Sequence, residues 1–260
     1  MCRVRSSIVS TIISALILHS SICLAAVSDT TWESSQANSS SVSFTYTPAP
    51  STPDVIFIFC IASIAGQTTA KVTGATYGGT SATQLGSNAV STTGGNNGDI
   101  AVFYYDNSSG TKDSNQVAAC SRSDSGQFAI IVVGYTGTDI VLPPSYNSAA
   151  SSTNVSSLSV TVTGLDADYT GYDAIAGIFS SESNVSGVTA GTGFTKNSSA
   201  GSGAEDLGTR VAVSMYDENN TTGSTTHSCS FSTGGNESQA IFCLVVAEEV
   251  AGRRRRFISN

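Results

Sequence analysis

Charge and imidazole are what this chain has least of. Only 12% of its 260 residues are charged, and it holds two histidines. His19 falls in the apolar N-terminal segment, which leaves His227 as the one imidazole downstream. A Ser-His-Asp site needs an oriented imidazole beside an exposed nucleophile, and no G-x-S-x-G elbow occurs. A structural zinc site needs four ligands, which one histidine and oxidised cysteines do not provide. Metal and cofactor chemistry are therefore not expected, and the chain reads as a non-enzyme. Also missing is any sustained 3.6-residue apolar stripe. After the N-terminal segment no apolar run reaches the length of a membrane-spanning helix.

What is present begins with a leader. Met1-Cys2-Arg3-Val4-Arg5 is a short basic start, Ile8 to Leu24 is apolar, and Leu24-Ala25-Ala26 offers small side chains to a signal peptidase. Residues 1–26 thus read as a secretory signal peptide, and the mature protein is expected outside the cell or at its surface. About 235 residues remain, enough for one large all-β domain with a real core. Hydrophobic residues make up 40% of the chain, which argues against disorder despite the abundance of Ser, Thr, Gly and Asn. Of the eleven basic residues, two lie in the leader and four are Arg253 to Arg256. Five bases therefore face nineteen acids between Ala26 and Gly252, a net charge of −14. Such a body repels phosphates, so nucleic acid is not an expected partner.

Period-two alternation recurs along the chain. Val42, Phe44 and Tyr46 alternate with Ser and Thr, and Pro48, Pro50 and Pro53 then break the run. Val55–Ile61, Ile100–Tyr105, Phe128–Tyr135, Ala174–Phe179, Arg210–Tyr216 and Ala240–Val246 read as strands separated by Gly/Ser/Asn loops. The expected fold is all-β, an antiparallel two-sheet β-sandwich, jelly-roll-like. Its divisions are a leader (1–26), an N-terminal arm and first strand with a Pro-rich hinge (27–53), a body (54–252) and a basic tail (253–260).

Four cysteines outlast the leader, and an even number in an exported chain favours disulfides. Three pairings are possible, with buried free thiols as the alternative. Cys60 and Cys243 sit in the two most apolar runs, Cys120 and Cys229 in small polar strands. Matching like with like predicts Cys60–Cys243 and Cys120–Cys229.

The series Val72-Thr73-Gly74-Ala75-Thr76-Tyr77-Gly78-Gly79-Thr80, then Val102-Phe103-Tyr104-Tyr105, then Val133-Gly134-Tyr135-Thr136-Gly137-Thr138-Asp139 resembles secreted jelly-roll-like β-sandwich domains of environmental bacteria and phages that carry a V-T-Y-G-G hairpin. Its motifs are turn and core residues, so the resemblance implies fold and export and carries over no catalytic residue. Similar sandwiches serve as extracellular filament or surface-appendage subunits.

Further candidates are surface features. Asp166, Asp168 and Asp173 come nearest to an oxygen-ligand Ca²⁺ site, although their spacing misses the EF-hand pattern. Tyr104, Tyr105, Tyr146, Tyr169 and Tyr172, with the lone Trp32 in the polar arm, could form a sugar platform, but alternating aromatics more often fill a core. Asn38, Asn107, Asn154, Asn184, Asn197, Asn219, Asn220 and Asn236 stand in N-x-S/T sequons, so the chain is a candidate glycoprotein. Two segments suggest self-assembly. Val42, Phe44 and Tyr46 could be donated across the hinge to a neighbour's sheet. The Arg253, Arg254, Arg255, Arg256 tail could dock on a neighbour's acidic body. The expected function is a secreted structural protein that builds a homopolymer, a filament or surface layer. The alternative is a monomeric glycan-binding or adhesive module.

Overall fold

Three segments, Val55–Ser63, Tyr172–Ser180 and Gln239–Ala247, are buried at all nine of their positions. A strand with no exposed face must be covered on both sides, so these segments lie inside a stack of more than two layers. Segments with alternating burial, such as Glu33–Tyr46 and Val155–Thr163, belong at its outside. The computed structural model describes residues 28–49, 52–64, 66–93, 95–110, 115–137, 140–166, 172–220 and 224–247. The segment expected to be a leader (1–26) and the arginine tail (253–260) lie outside the described residues.

The main strands of the first half are β1 (Glu33–Tyr46), β2 (Val55–Ser63), β3 (Val72–Tyr77), β4 (Gly98–Asp106) and β5 (Gln116–Thr136). Those of the second half are β6 (Ser145–Ala150), β7 (Val155–Thr163), β8 (Tyr172–Ser180), β9 (Val188–Ala190), β10 (Val211–Asn220), β11 (Thr226–Glu237) and β12 (Gln239–Ala247). All their pairings are antiparallel. The fold is the expected all-β antiparallel sandwich, with no α-helix among the described residues and no helix long and apolar enough to cross a membrane.

Both halves follow one plan. In the first, β1 and β5 are long strands that turn a corner together. The carboxyl half of β5 pairs with β2 and the start of β1, while its amino half pairs with β3 and the end of β1. The ladder is irregular between Ser39 and Ser41, where the turn falls. In the second half the same path is cut into pieces: β6 and β7 take the place of β1, β11 and β12 that of β5. The inner sheet there runs β6-β12-β8-β10 and the outer one β7-β11-β9. The result is four layers, outer–inner–inner–outer, with three apolar interlayers. The duplication is not anticipated by the sequence reading above.

The middle interlayer joins the halves, and glycine makes it fit. A Cβ at Gly98 would stand 2.1 Å from the ring of Phe179, and one at Gly177 would stand 2.6 Å from that of Phe59. Each half thus seats one phenylalanine of the other on a glycine, a close approach no larger residue permits. Trp32, read above as part of a polar arm, is 8% exposed. It packs at 6.5 Å from Phe59 and 6.0 Å from Tyr216 of the other half.

The disulfide pairing requires correction. Two bridges are present, but they are Cys60–Cys120 and Cys229–Cys243, with Cα–Cα separations of 5.8 and 6.2 Å. Similar strands lie in equivalent layers of different halves, whereas a bridge joins layers that face each other. Each pair therefore links an inner strand to the outer strand opposite it.

The donor segment is also corrected. Ser41 to Tyr46 pairs with Ser121 to Gln116 of β5, and this strand begins at Glu33, earlier than alternation alone suggested. Val42 and Tyr46 are buried and Phe44 half-buried. The Tyr46 hydroxyl donates to the Thr31 carbonyl at 2.8 Å and accepts from the Gly134 amide at 2.8 Å. These side chains close their own core and are not a free donor.

Candidate functional site

β1 is folded onto its own chain, and what it leaves open is an edge. β1 pairs with β5 on one side. On the other, its start is covered by the second half: the Ser34 amide donates to the Gly201 carbonyl at 3.1 Å, and the Ser34 hydroxyl donates to the Glu205 carboxylate at 2.7 Å. From Ser35 to Thr45 the outer side meets no strand among the described residues. Exposed edges are normally guarded by lysine, proline or extreme shortness. β1 is 14 residues long, contains neither, and carries one charge, at Glu33.

Its counterparts β6 and β7 are the margins of the two sheets of the second half, and neither contains a charged residue or a proline. They lie on the opposite flank. β6 runs over the far margin of the first inner sheet: the Thr92 amide donates to the Ser151 carbonyl at 2.9 Å, and Tyr146 packs beside Gly86. Among the described residues the two exposed large hydrophobic side chains flank these edges. Val117, 49% exposed, is the cross-strand partner of Thr45 on β1, and Tyr146, 40% exposed, lies on β6.

The other predicted residues do not converge. Asp166 is exposed, Asp173 is buried in β8 and Asp168 lies outside the described residues, so no three-ligand cluster forms among those described. Tyr104 and Tyr105 are half-buried, Tyr172 is buried, and Tyr169 falls outside the described residues. Among the sequons, Asn38, Asn154, Asn184 and Asn236 are exposed. Asn107 is 2% exposed and its amide donates to the Pro53 carbonyl at 2.9 Å, which removes the atom that would carry a sugar. Asn197 is half-buried, with its amide on the Ser214 hydroxyl at 2.8 Å. The side chains of Asn219 and Asn220 lie outside the described part.

His227 sits in an aromatic niche, edge-on to Tyr172 and Phe194 at 5.5 and 5.6 Å. Its Nε2 stands 3.6 Å from the Asp217 carboxylate, beyond a good hydrogen bond. Burial pulls its pKa below the ordinary imidazole value, against the opposing pull of Asp217. A neutral ring packed in this way supports the end of the second sandwich.

Asp99, which the sequence reading passed over, is a buried anchor. Its carboxylate accepts from the amides of Lys71 at 2.5 Å and Val72 at 2.7 Å, and from the side chain of Asn88 at 2.8 Å. Desolvation raises its pKa although these bonds lower it. The legible signal was an acid set directly before the apolar run Ile100–Phe103. The chain matches no family model, no curated protein and no solved structure, so function is read from geometry and chemistry.

Proposed function

We propose that the protein is a secreted structural subunit that self-assembles into an extracellular filament or surface layer. The observation that carries this reading is the pair of unguarded edges, β1 on one flank and β6–β7 on the other. An unpaired edge offers a row of amide and carbonyl groups to another chain. Two different edges on opposite flanks give a heterologous contact, which propagates unless it closes into a ring. Two disulfides suit durability outside the cell, and the arginine tail, attracted by an acidic body, would add an electrostatic contact. Exposed sequons such as Asn154, Asn184 and Asn236 would carry glycans in a host that attaches them. The resemblance to appendage-type secreted sandwiches points the same way. A monomeric glycan-binding module would want a platform of exposed aromatics, and among the described tyrosines Tyr146 alone is exposed.

Electron microscopy of the leader-free protein at low and high salt tests the reading. Filaments that persist in high salt are expected if edges pair, because main-chain bonding is little screened, whereas a tail contact weakens. Asn38→Lys with Ser41→Lys on β1, and Ser148→Lys on β6, should each stop growth. A mixture of the two blocked proteins should stop at dimers. Monodisperse single particles of the unmodified protein at both salts would overturn the proposal.

A further inference from the structure

Where the two halves meet beside the corner of β5, a cleft of about 290 Å³ is lined by Ser63, Gln67, Arg122, Asp124, Gln127 and Arg210. Its charge is opposite to that of the molecule around it. Of the five basic residues between Ala26 and Gly252, three gather here: Lys71, Arg122 and Arg210.

Two of the three are already answered. Arg122 is buried, and its guanidinium meets Asp124 at 2.6 Å and the carbonyls of Ser63 at 3.2 Å and Gln127 at 3.0 Å. Lys71 reaches the other oxygen of Asp124 at 3.6 Å. One carboxylate thus serves two cations. Asp99, which also feels the charge of Arg122, is committed to the backbone amides of Lys71 and Val72.

Arg210 is the exception. Its Nη1 donates to the Gln127 side-chain oxygen at 3.2 Å and its Nη2 to that of Asn96 at 2.5 Å, both neutral acceptors. No carboxylate lies within 4.0 Å of it among the described residues. Its Nε is buried without a partner, and burial disfavours its charge. A half-buried guanidinium fixed by two amides, yet lacking a counter-ion in a body of net charge −14, is an arrangement that an external anion would complete.

We propose that this cleft binds a carboxylate carried on a small hydroxylated ligand, a uronate sugar unit, with Arg210 supplying the counter-charge. Arginine recognises the two oxygens of a planar carboxylate through paired N–H donors. Ser63, Gln67 and Gln127 provide hydroxyl and amide groups for the sugar. The volume lies at the lower limit of small-ligand sites, which suits one sugar residue and no more. Edge-to-edge assembly is not required for this site, and its failure would leave that proposal untouched.

The test is titration of the leader-free protein, followed by NMR and calorimetry, with galacturonate, galactose and inorganic sulfate. Saturable binding of galacturonate, with galactose at least tenfold weaker, is expected. Arg210→Gln should lose at least tenfold in affinity, Arg210→Lys should lose less, and Lys196→Gln, remote from the cleft, should change nothing. Sulfate binding as tightly as galacturonate would overturn the sugar assignment. Absence of saturable binding to any probe would overturn the site, as would full affinity in a folded Arg210→Gln variant.

Discussion

The two halves solve one folding problem in two ways. In the first half, β1 and β5 run unbroken through the corner between layers. In the second, the corresponding path is interrupted, at residues 151–154 between β6 and β7 and at Ser238 between β11 and β12. The residue at the corner differs accordingly. Cys120-Ser121-Arg122-Ser123 and Cys229-Ser230-Phe231-Ser232 occupy equivalent places, each cysteine opposite a buried valine, Val42 or Val160. Arg122 ties the continuous corner with carbonyl bonds and covers Phe128 at 5.8 Å. Phe231 simply joins the apolar interlayer. A strand that bends without stopping leaves backbone groups near the bend that need partners, and the buried guanidinium meets that need. Where the strand stops, at Ser238, the buried Ser151 and Gln239 meet that need instead, so the corner residue itself can be apolar. The Ser151 hydroxyl donates to the Gln239 carbonyl at 3.1 Å and the Gln239 side-chain amide to the Val155 carbonyl at 2.9 Å.

The disulfides offer the largest test of that comparison. Cys60 on β2 pairs across the ladder with Ile130 on β5, and Cys243 on β12 pairs with Ala176 on β8. The inner cysteine has thus moved to the adjacent strand while the bridge still spans the same two layers. The bridges close chain separations of 60 and 14 residues. On loop entropy alone, replacing Cys60 and Cys120 by alanine should cost about 4 kcal/mol, and replacing Cys229 and Cys243 about 3 kcal/mol. Urea unfolding of the two variants measures the difference. The reverse order would show that the continuous strands already restrain the first half without its bridge.

The glycine seats come next, since they test whether the halves depend on each other equally. Gly98→Ala drives a methyl group into Phe179, and Gly177→Ala drives one into Phe59. Overpacking of this kind costs about 1–3 kcal/mol, with Gly98→Ala expected at the higher end because its contact is closer. Phe179→Leu should recover part of the Gly98→Ala loss by making room, while leaving Gly177→Ala as it was. Thermal unfolding read by near-ultraviolet circular dichroism reports both, because Trp32 bridges the same interlayer. Recovery of Gly177→Ala by Phe179→Leu would break the reciprocal arrangement.

Much of this fold was legible as local pattern. Unbroken apolar runs such as Val55–Ile61 and Ala240–Val246 indicated central strands, and alternation indicated outer ones. The number of layers was not legible, because burial on both faces looks the same whatever covers the second face. That gap misled the cysteine pairing, which matched strands by kind when bridges join unlike layers. It also misplaced Trp32, whose polar neighbours give no hint that the other half covers it. The duplication was hidden by unequal spacing: seven residues separate Cys120 from the apolar run that opens at Phe128, whereas ten separate Cys229 from the one that opens at Ala240. The shared C-S-x-S was the available clue. As for the edges, absence of lysine and proline from residues 33–46 could be read directly, but not that this strand would lie at a margin.

The smallest effect concerns a position where the halves differ in chemistry. Counting back two residues from the equivalent cysteines, the first half has the buried Ala118 and the second has His227. Burial holds the His227 pKa below 6.5, its value in the unfolded chain. Between the two values the unfolded state binds more protons, so stability falls as pH drops from about 6.5 toward the folded pKa and is unaffected by this group above that window. His227→Ala copies the first half and removes this titrating group. Its urea midpoint should therefore change less between pH 7.5 and pH 5 than that of the unmodified protein, whatever the substitution costs overall. Asp217→Asn should steepen the dependence, because it removes the carboxylate that partly supports the imidazolium. If His227→Ala left the pH dependence unaltered, the imidazole would have to titrate alike in both states, and the niche between Tyr172 and Phe194 would be open enough for water to reach the ring.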